Sequence, residues 1–197
     1  MKERKQLSLI IIIVGLALFF SYHIYYHFVN NVNDELIENY YSSKNNIDTN
    51  TKNTLQKVIY MEDDEEYIGV VKIPKIKLKE GFYSKNSTKN NVNNSVTLLN
   101  ESIMPEDDGS IIYLAAHSGS GYLAFFKNIN KLNYGDMIYL SYNSNNYTYT
   151  VTDIYEIVKD GKITVKRNTN EKYLILTTCS KNKNMQTIIV SKMLNKV

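Results

Sequence analysis

The chain has 197 residues, a formal net charge of +3 at pH 7 and a single cysteine. The small charge is spread along the sequence and gives no argument for nucleic-acid binding. One cysteine excludes an intramolecular disulfide, and the sequence has no phosphate-cradling glycine loop and no metal-spaced set of cysteines and histidines, so neither a cofactor nor a metal is predicted.

The N-terminus predicts a membrane anchor. Basic residues are concentrated in residues 1–6, and the mostly apolar segment 7–29 that follows reaches the roughly 20 residues needed to cross a bilayer. Positive flanking charge predicts that residues 1–6 form a cytoplasmic tail and that the rest of the chain is extracellular. A cleaved signal peptide is the competing interpretation. No A-x-A-like site follows Phe20, which favours an uncleaved single-pass anchor in the cell membrane.

Segment 30–66 is polar and rich in Asn, Ser, Thr and Lys, which predicts a stalk with one or two helical turns between the membrane and the next domain. Its acidic run, residues 62–66, is interpreted as a solvated surface rather than a cation site. Residues 67–197 are enough for one domain.

Strand patterns dominate residues 67–197, and several alternate apolar residues with Tyr or Thr. The predicted strands are Ile68 to Ile73, Ile111 to Ala116, Met137 to Tyr142, Tyr147 to Val158, Tyr173 to Thr178 and Thr187 to Lys192. A helical pattern is confined to Tyr122 to Leu132, and Asn143 to Asn146 predict a hairpin turn. The fold class predicted is therefore mostly β: a closed, mostly antiparallel barrel with one or two short helices.

Cys179 is the only cysteine and stands at the end of an apolar strand in the predicted extracellular domain. An unpaired cysteine in an exported protein indicates intermolecular pairing or a reactive thiol. A thiol is mostly protonated at neutral pH, so a nucleophilic cysteine needs a partner that takes its proton, and histidine is the usual one. The structural alternative is that Cys179 packs as a small buried hydrophobic residue.

His117 is the one histidine outside the N-terminal region that carries His23 and His27. It ends a second apolar run and is followed by a Ser-Gly-Ser-Gly loop. If the strands before His117 and Cys179 are parallel neighbours, both side chains lie at the same edge of one sheet. A packed or solvated imidazole is the structural alternative for His117.

These residues give the chain a resemblance to the sortase family, the membrane-anchored cysteine transpeptidases of Gram-positive surfaces. Ile175 to Cys179 matches all but the first position of the family signature Thr-Leu-x-Thr-Cys, and Tyr113 to His117 is similar to the family strand that ends in histidine. Phe125 to Asp136 resembles the family helix followed by a Leu-x-x-Gly-Asp turn. Ile68 to Ile76 is similar to the first strand, and the four motifs occur in the family order within residues 67–197.

The resemblance implies an eight-stranded barrel. The connection from Val158 to Tyr173 is short and lacks the long helical insertion of class B, so a class A or class D type is predicted.

One position departs from the family. Sortases carry an arginine on the strand after the cysteine, where it positions the substrate or stabilises the oxyanion. Here that strand contains no arginine, and alignment places Gln186, or with a slip of one residue Thr187, at the site. An amide can donate hydrogen bonds but carries no charge. Arg167, in the loop before the cysteine strand, is the remaining candidate, although a lone arginine beside lysines is usually a solvated charge.

The resemblance implies a transpeptidase that cuts an exported protein at a C-terminal sorting signal like Leu-Pro-x-Thr-Gly. Cys179 would attack the scissile carbonyl and His117 would protonate the leaving amine, with backbone N–H groups near Cys179 and the Gln186 amide at the oxyanion. The acceptor would be an amine of a cell-wall precursor or a pilin lysine. The alternatives are a sortase-like module that binds such signals without turnover and a hydrolytic cysteine peptidase on the same fold.

Overall fold

The computed structural model describes residues 2–47 and 66–196. Most of the acidic run 62–66 lies outside the described residues. The first element is helix α1, Lys2–Ile47, and within it Leu9–Lys44 is long and apolar enough to cross a membrane. Large apolar side chains of α1 between Leu9 and Phe28 are exposed, as they are in a helix that contacts lipid.

Residues up to Glu35 form one compact unit, and the residues from Leu36 onward form the second. In this second unit Ile37 is buried with Tyr67, Val70 and Tyr83, and the Tyr41 hydroxyl lies 3.2 Å from the Ser141 Oγ. The first part of the segment predicted as a stalk therefore belongs to α1 and contributes apolar contacts to the barrel unit. The division of the chain into tail, anchor, stalk and domain stays a prediction.

Eight strands follow, in a single sheet with the order β2-β1-β5-β6-β8-β7-β4-β3. The strands are β1 Gly69–Ile73, β2 Leu78–Phe82, β3 Thr97–Leu98, β4 Ile111–Ala115, β5 Met137–Tyr142, β6 Asn145–Val158, β7 Tyr173–Cys179 and β8 Met185–Lys196. Neighbouring strands are antiparallel except for β4 and β7, which are parallel. β2 and β3 are the two end strands of the sheet and are not hydrogen-bonded to each other. The barrel is therefore nearly, but not fully, closed.

Alternation along the strands builds two apolar layers. Leu174 and Leu176 of β7 belong to the large interior core, whereas Tyr173 and Ile175 belong to a smaller cluster on the outer face. Side chains at successive strand positions point to opposite faces, so a residue's place in β7 decides whether it faces the interior or the outer surface.

The predicted mostly β fold is confirmed, and all six predicted strands are present. The strands that the sequence analysis did not identify are β2 and β3. The helical pattern over Tyr122 to Leu132 is wrong in extent: that region is mainly turns, with a 3₁₀ helix at Ile129–Lys131, and a second 3₁₀ helix lies at Pro74–Ile76. The hairpin turn is confirmed, since Asn143 and Ser144 both have positive φ between β5 and β6, as a type I′ turn requires.

Candidate active site

The two parallel strands bring Cys179 and His117 to one edge of the sheet. Residue pairs run from Ile111↔Tyr173 to Ala115↔Thr177, and the same register continued by two residues places His117 beside Cys179. Neighbouring strands lie about 4.8 Å apart. The parallel arrangement expected from the sequence is therefore present, and the two side chains start from adjacent backbone positions.

Two side-chain hydrogen bonds fasten the ends of β4 and β7 together. The Thr178 hydroxyl donates to the Ala116 carbonyl at 2.6 Å, and the Ser118 hydroxyl donates to the Cys179 carbonyl at 2.6 Å. Each bond crosses between the strands, so the backbone on both sides of the thiol is held where the regular ladder ends. Such support fixes the geometry of a reactive pair better than a free loop does.

The thiol lies on the outer face of the barrel. Cys179 shares the alternation of Tyr173 and Ile175, and it is exposed, unlike the buried residues of β7 that precede it. The alternative of a buried structural cysteine therefore does not fit its position. The His117 ring is half-buried, and its Nε2 lies 3.2 Å from the Asn93 Oδ1, which can fix the ring orientation.

Strand β8 places the two candidates for the position of the missing arginine on opposite faces of the sheet. Gln186 pairs directly with Cys179, and opposed residues in an antiparallel pair share one face of the sheet. Thr187 pairs with the buried Thr178 and points to the other face. The Gln186 side chain is already engaged, because its Nε2 donates to the Lys162 carbonyl at 3.3 Å.

Arg167 lies at the opposite end of the same strands. Its guanidinium donates to the Gly109 carbonyl at 2.8 Å, just before β4 begins, whereas His117 follows the end of β4. At about 3.3 Å per residue, the length of β7 alone separates Tyr173 from Cys179 by about 20 Å. The structure therefore does not bring Arg167 to the thiol.

A cation that the sequence analysis missed does reach the thiol. The Lys159 Nζ lies 3.3 Å from the Cys179 Sγ. Lys159 directly follows β6, and β6 is separated from β7 by β8 alone. The available signal was the apolar alternation of β6, which ends at this lysine, but the pairing of β6 with β8 could not be read from it.

The β7–β8 turn next to the thiol is held by Glu156. Its carboxylate accepts hydrogen bonds from the Ser180 hydroxyl and, at 2.6 Å, from the Asn182 amide. Both hydrogen bonds lower the pKa of Glu156 below its ordinary value, and the bond from Ser180 has the larger effect. The Ser180 N–H is also used within the turn, donating to the Met185 carbonyl at 3.0 Å.

Among the residues that the structure describes, no group of three or more His, Cys, Asp or Glu side chains is arranged to hold a metal ion. The groups gathered at this edge are a thiol, an imidazole, an amide and an ammonium. Of these groups, a thiol and an imidazole are the pair that can carry out nucleophilic attack and proton transfer.

A nearly closed β-barrel with a thiol and an imidazole at the ends of parallel strands is an architecture of sortases, which are cysteine transpeptidases. The family model for the sortase domain matches residues 71–194, and the chain belongs to the sortase family.

Sequence relatives support the same assignment. Sortase A of Bacillus anthracis is 27% identical over 129 residues, which cover 66% of this chain and 60% of that protein. The matched region thus spans less than two thirds of the length of that relative. Sortase A of Listeria monocytogenes is 27% identical over 192 residues, covering 90% of this chain and 85% of the relative.

Solved sortase structures share the fold. A Clostridium perfringens sortase D5 transpeptidase superposes with a TM-score of 0.66 at 19% identity, covering 84% of this chain and 99% of that one. Streptococcus pneumoniae sortase C gives a TM-score of 0.59 at 22% identity, covering 66% of this chain and 68% of that one. The predicted sortase-type barrel is confirmed by these matches.

Proposed function

We propose that this protein is a membrane-anchored cysteine transpeptidase that cleaves a Leu-Pro-x-Thr-Gly-like sorting signal at the C-terminus of an exported protein. It transfers that protein to an amine of a cell-wall precursor or to a pilin lysine. The observation that carries the proposal is the placement of Cys179 and His117 at adjacent ends of parallel strands in a sortase-family barrel.

In the first half of the proposed reaction the Cys179 thiolate attacks the carbonyl carbon of the scissile bond and forms a tetrahedral oxyanion. The C–N bond then breaks, and the proton held by the His117 imidazolium goes to the leaving amine nitrogen. The products of this half are a thioester on Cys179, a neutral imidazole and the released C-terminal fragment. The exposed position of Cys179 gives a peptide substrate direct access to the Sγ.

In the second half the acceptor amine attacks the thioester carbonyl. The neutral imidazole of His117 takes the proton that the amine loses, and the C–S bond breaks to release the new amide and the Cys179 thiolate. The proton and the charge of the thiolate–imidazolium pair are thereby restored. Water in place of the amine gives hydrolysis by the same steps.

The proposed location is the cell membrane, with residues 1–6 in the cytoplasm and the barrel outside. The apolar part of α1 and the basic residues before it support this orientation. Fusion of a reporter to each terminus, with protease access measured on intact cells, tests it. Protection of the C-terminal reporter would contradict the orientation.

The activity is tested by incubating the full chain, in detergent micelles, with a panel of sorting peptides with and without amine acceptors. Mass spectrometry distinguishes the amide product from the free acid. We expect the amide when an amine is supplied. The free acid alone would identify a hydrolytic peptidase instead.

A binding module is the second candidate, because Gln186 rather than a cationic residue stands opposite Cys179. Such a module would bind sorting peptides in a calorimeter yet yield neither product nor a thioester in the same panel.

A further inference from the structure

The ammonium of Lys159 lies 3.3 Å from the Cys179 Sγ. This sulfur is the only recorded polar contact of that ammonium within the described residues 2–47 and 66–196. Sulfur is a weak acceptor when protonated and a strong partner for a cation when it carries a negative charge. Lys159 is exposed, so water can hydrate its ammonium, and the contact with the sulfur becomes strongly favourable when the sulfur is a thiolate.

The backbone around Lys159 is built to hold that position. The Lys159 N–H donates to the Asn184 carbonyl at 2.8 Å, which extends the β6–β8 ladder past the end of β6. The next residue, Asp160, accepts the Lys162 N–H on its side chain at 3.0 Å, and Gly161 takes a positive φ of 82°. The amide of Gln186 closes the turn by donating to the Lys162 carbonyl. Lys159 thus starts from a fixed turn rather than from a free loop.

Among the described residues, no carboxylate forms an ion pair with the Lys159 ammonium. Glu156 is used by Ser180 and Asn182, and the Asp160 side chain accepts the backbone N–H of Lys162. Two other donors that could serve an oxyanion already have partners: the Ser180 N–H donates to the Met185 carbonyl and the Gln186 amide donates to the Lys162 carbonyl. A third donor, Arg167, lies at the far end of the strands.

We propose that Lys159 is a catalytic residue: its ammonium stabilises the Cys179 thiolate and then the oxyanion of the tetrahedral intermediate, and Gln186 positions the turn that carries it. The charge that sortases place on the strand after the cysteine comes here from the end of β6. In this role Lys159 neither donates nor accepts a proton, so the proton balance of the reaction is unchanged. This inference rests on the proposed function for its oxyanion role, whereas the contact with the thiolate does not depend on the substrate.

The first experiment measures alkylation of Cys179 by iodoacetate, which is anionic, and by iodoacetamide, which is neutral. A cation beside the sulfur attracts the anionic reagent, so the ratio of the two rates reports the local charge. We expect Lys159→Met to lower the iodoacetate-to-iodoacetamide ratio about threefold or more. Lys159→Arg should keep the ratio near the wild-type value. The matched control, Lys166→Met, removes the same charge from the same β6–β7 connection and should leave the ratio unchanged.

The second experiment measures thioester formation with the best sorting peptide of the panel. Lys159→Met should slow it about tenfold or more, because an oxyanion donor and a thiolate partner are lost together. Adding Gln186→Arg to Lys159→Met should restore part of the rate, since residue 186 lies opposite Cys179. All variants are compared at equal folded fraction, measured by circular dichroism.

The outcomes separate this inference from the proposed function. If wild type forms the thioester and Lys159→Met changes neither the alkylation ratio nor the rate, Lys159 is not the cation of the site. If no peptide reacts but the alkylation ratio falls in Lys159→Met and not in Lys166→Met, the cation assignment stands and the proposed transpeptidase function fails.

Discussion

The two ends of the β4–β7–β8 part of the sheet use cations differently. At the end where β4 and β7 begin, Arg167 and Lys172 donate to the Gly109 and Pro105 carbonyls at 2.8 Å each, and Lys192 pairs with Glu171. At the end where the same strands finish, Lys159 faces the Cys179 sulfur. The first end has cations with oxygen partners that join chain segments, which is a structural use. The second end has a cation held beside a nucleophile.

This contrast explains why the number and type of charged residues in the sequence do not identify the cation that lies beside the thiol. Arg167 is the only arginine outside the N-terminal tail, so it is the obvious candidate for a sortase-like role, yet its hydrogen bond fixes the backbone before β4. Lys159 is one of many lysines and has no motif around it. A structural cation and a reactive cation differ in the atom that each contacts, an oxygen or the nucleophilic sulfur, and not in residue type. Substitutions at the two ends of the strands test that separation.

The largest effect should come from Cys179→Ala. Because Cys179 is the only thiol, the variant should lose both cleavage and thioester formation completely. Its melting temperature should stay close to that of wild type, since the side chain is exposed. Peptide mass spectrometry and thermal denaturation check the two parts. Cleavage at the wild-type rate by the alanine variant would show that the mechanism is wrong.

His117→Ala should slow turnover by roughly two or more powers of ten, as expected for loss of a general acid. The half-buried ring makes one recorded side-chain hydrogen bond, to Asn93, so the loss of stability should be small. Steady-state kinetics and melting curves measure both. A collapse of stability with near-normal activity in the folded fraction would instead identify a packed structural histidine.

Substitutions on β8 test which residue occupies the position of the family arginine. Gln186→Arg should raise the thioester-forming rate several-fold, because it places a second cation, able to make charge-assisted bonds, opposite Cys179. Gln186→Ala should lower it, since the Lys162 carbonyl loses its donor.

Thr187→Arg serves as the register control, because Thr187 pairs with the buried Thr178. We expect it to lower the melting temperature without a gain in rate. A rate gain confined to Thr187→Arg would overturn the β8 register.

Arg167→Ala probes the other end of the strands. The rate of thioester formation should be unchanged, and the melting temperature should fall by no more than about 3 °C, as for loss of one exposed hydrogen bond. Differential scanning calorimetry and the peptide assay measure these values. A selective loss of activity would remove the distinction between the two ends.

The smallest effect concerns the acid dependence of stability. Hydrogen bonds from Lys192 and Tyr173 lower the pKa of Glu171 below its ordinary value, and the bond from Lys192 has the larger effect. A carboxylate with a lowered folded-state pKa contributes stability above its unfolded pKa and loses it as the pH falls through the folded value. Glu171→Gln should therefore flatten part of the decrease in melting temperature below about pH 4.3. An identical pH profile in the variant would show that this ion pair is not stabilising.

Local pattern was enough to predict much of the molecule. Six strands, the turn at Asn143 and Ser144, and the placement of His117 and Cys179 after apolar runs could all be read from residues close together in the sequence. Alternation and turn propensity act over a few residues, which is why they are visible without the fold. The catalytic roles of Cys179 and His117 remain predictions.

Strand pairing decided the features that local pattern could not predict. The charged strand β2 and the two-residue strand β3 carry too little pattern to be recognised, and they form because neighbours supply their hydrogen bonds. The contact of Lys159 with Cys179 joins residues 20 positions apart, and it exists because β8 lies between β6 and β7. The sequence alone determined which residue is the nucleophile candidate; only the tertiary structure decided which cation lies beside it, because long-range pairing sets that distance.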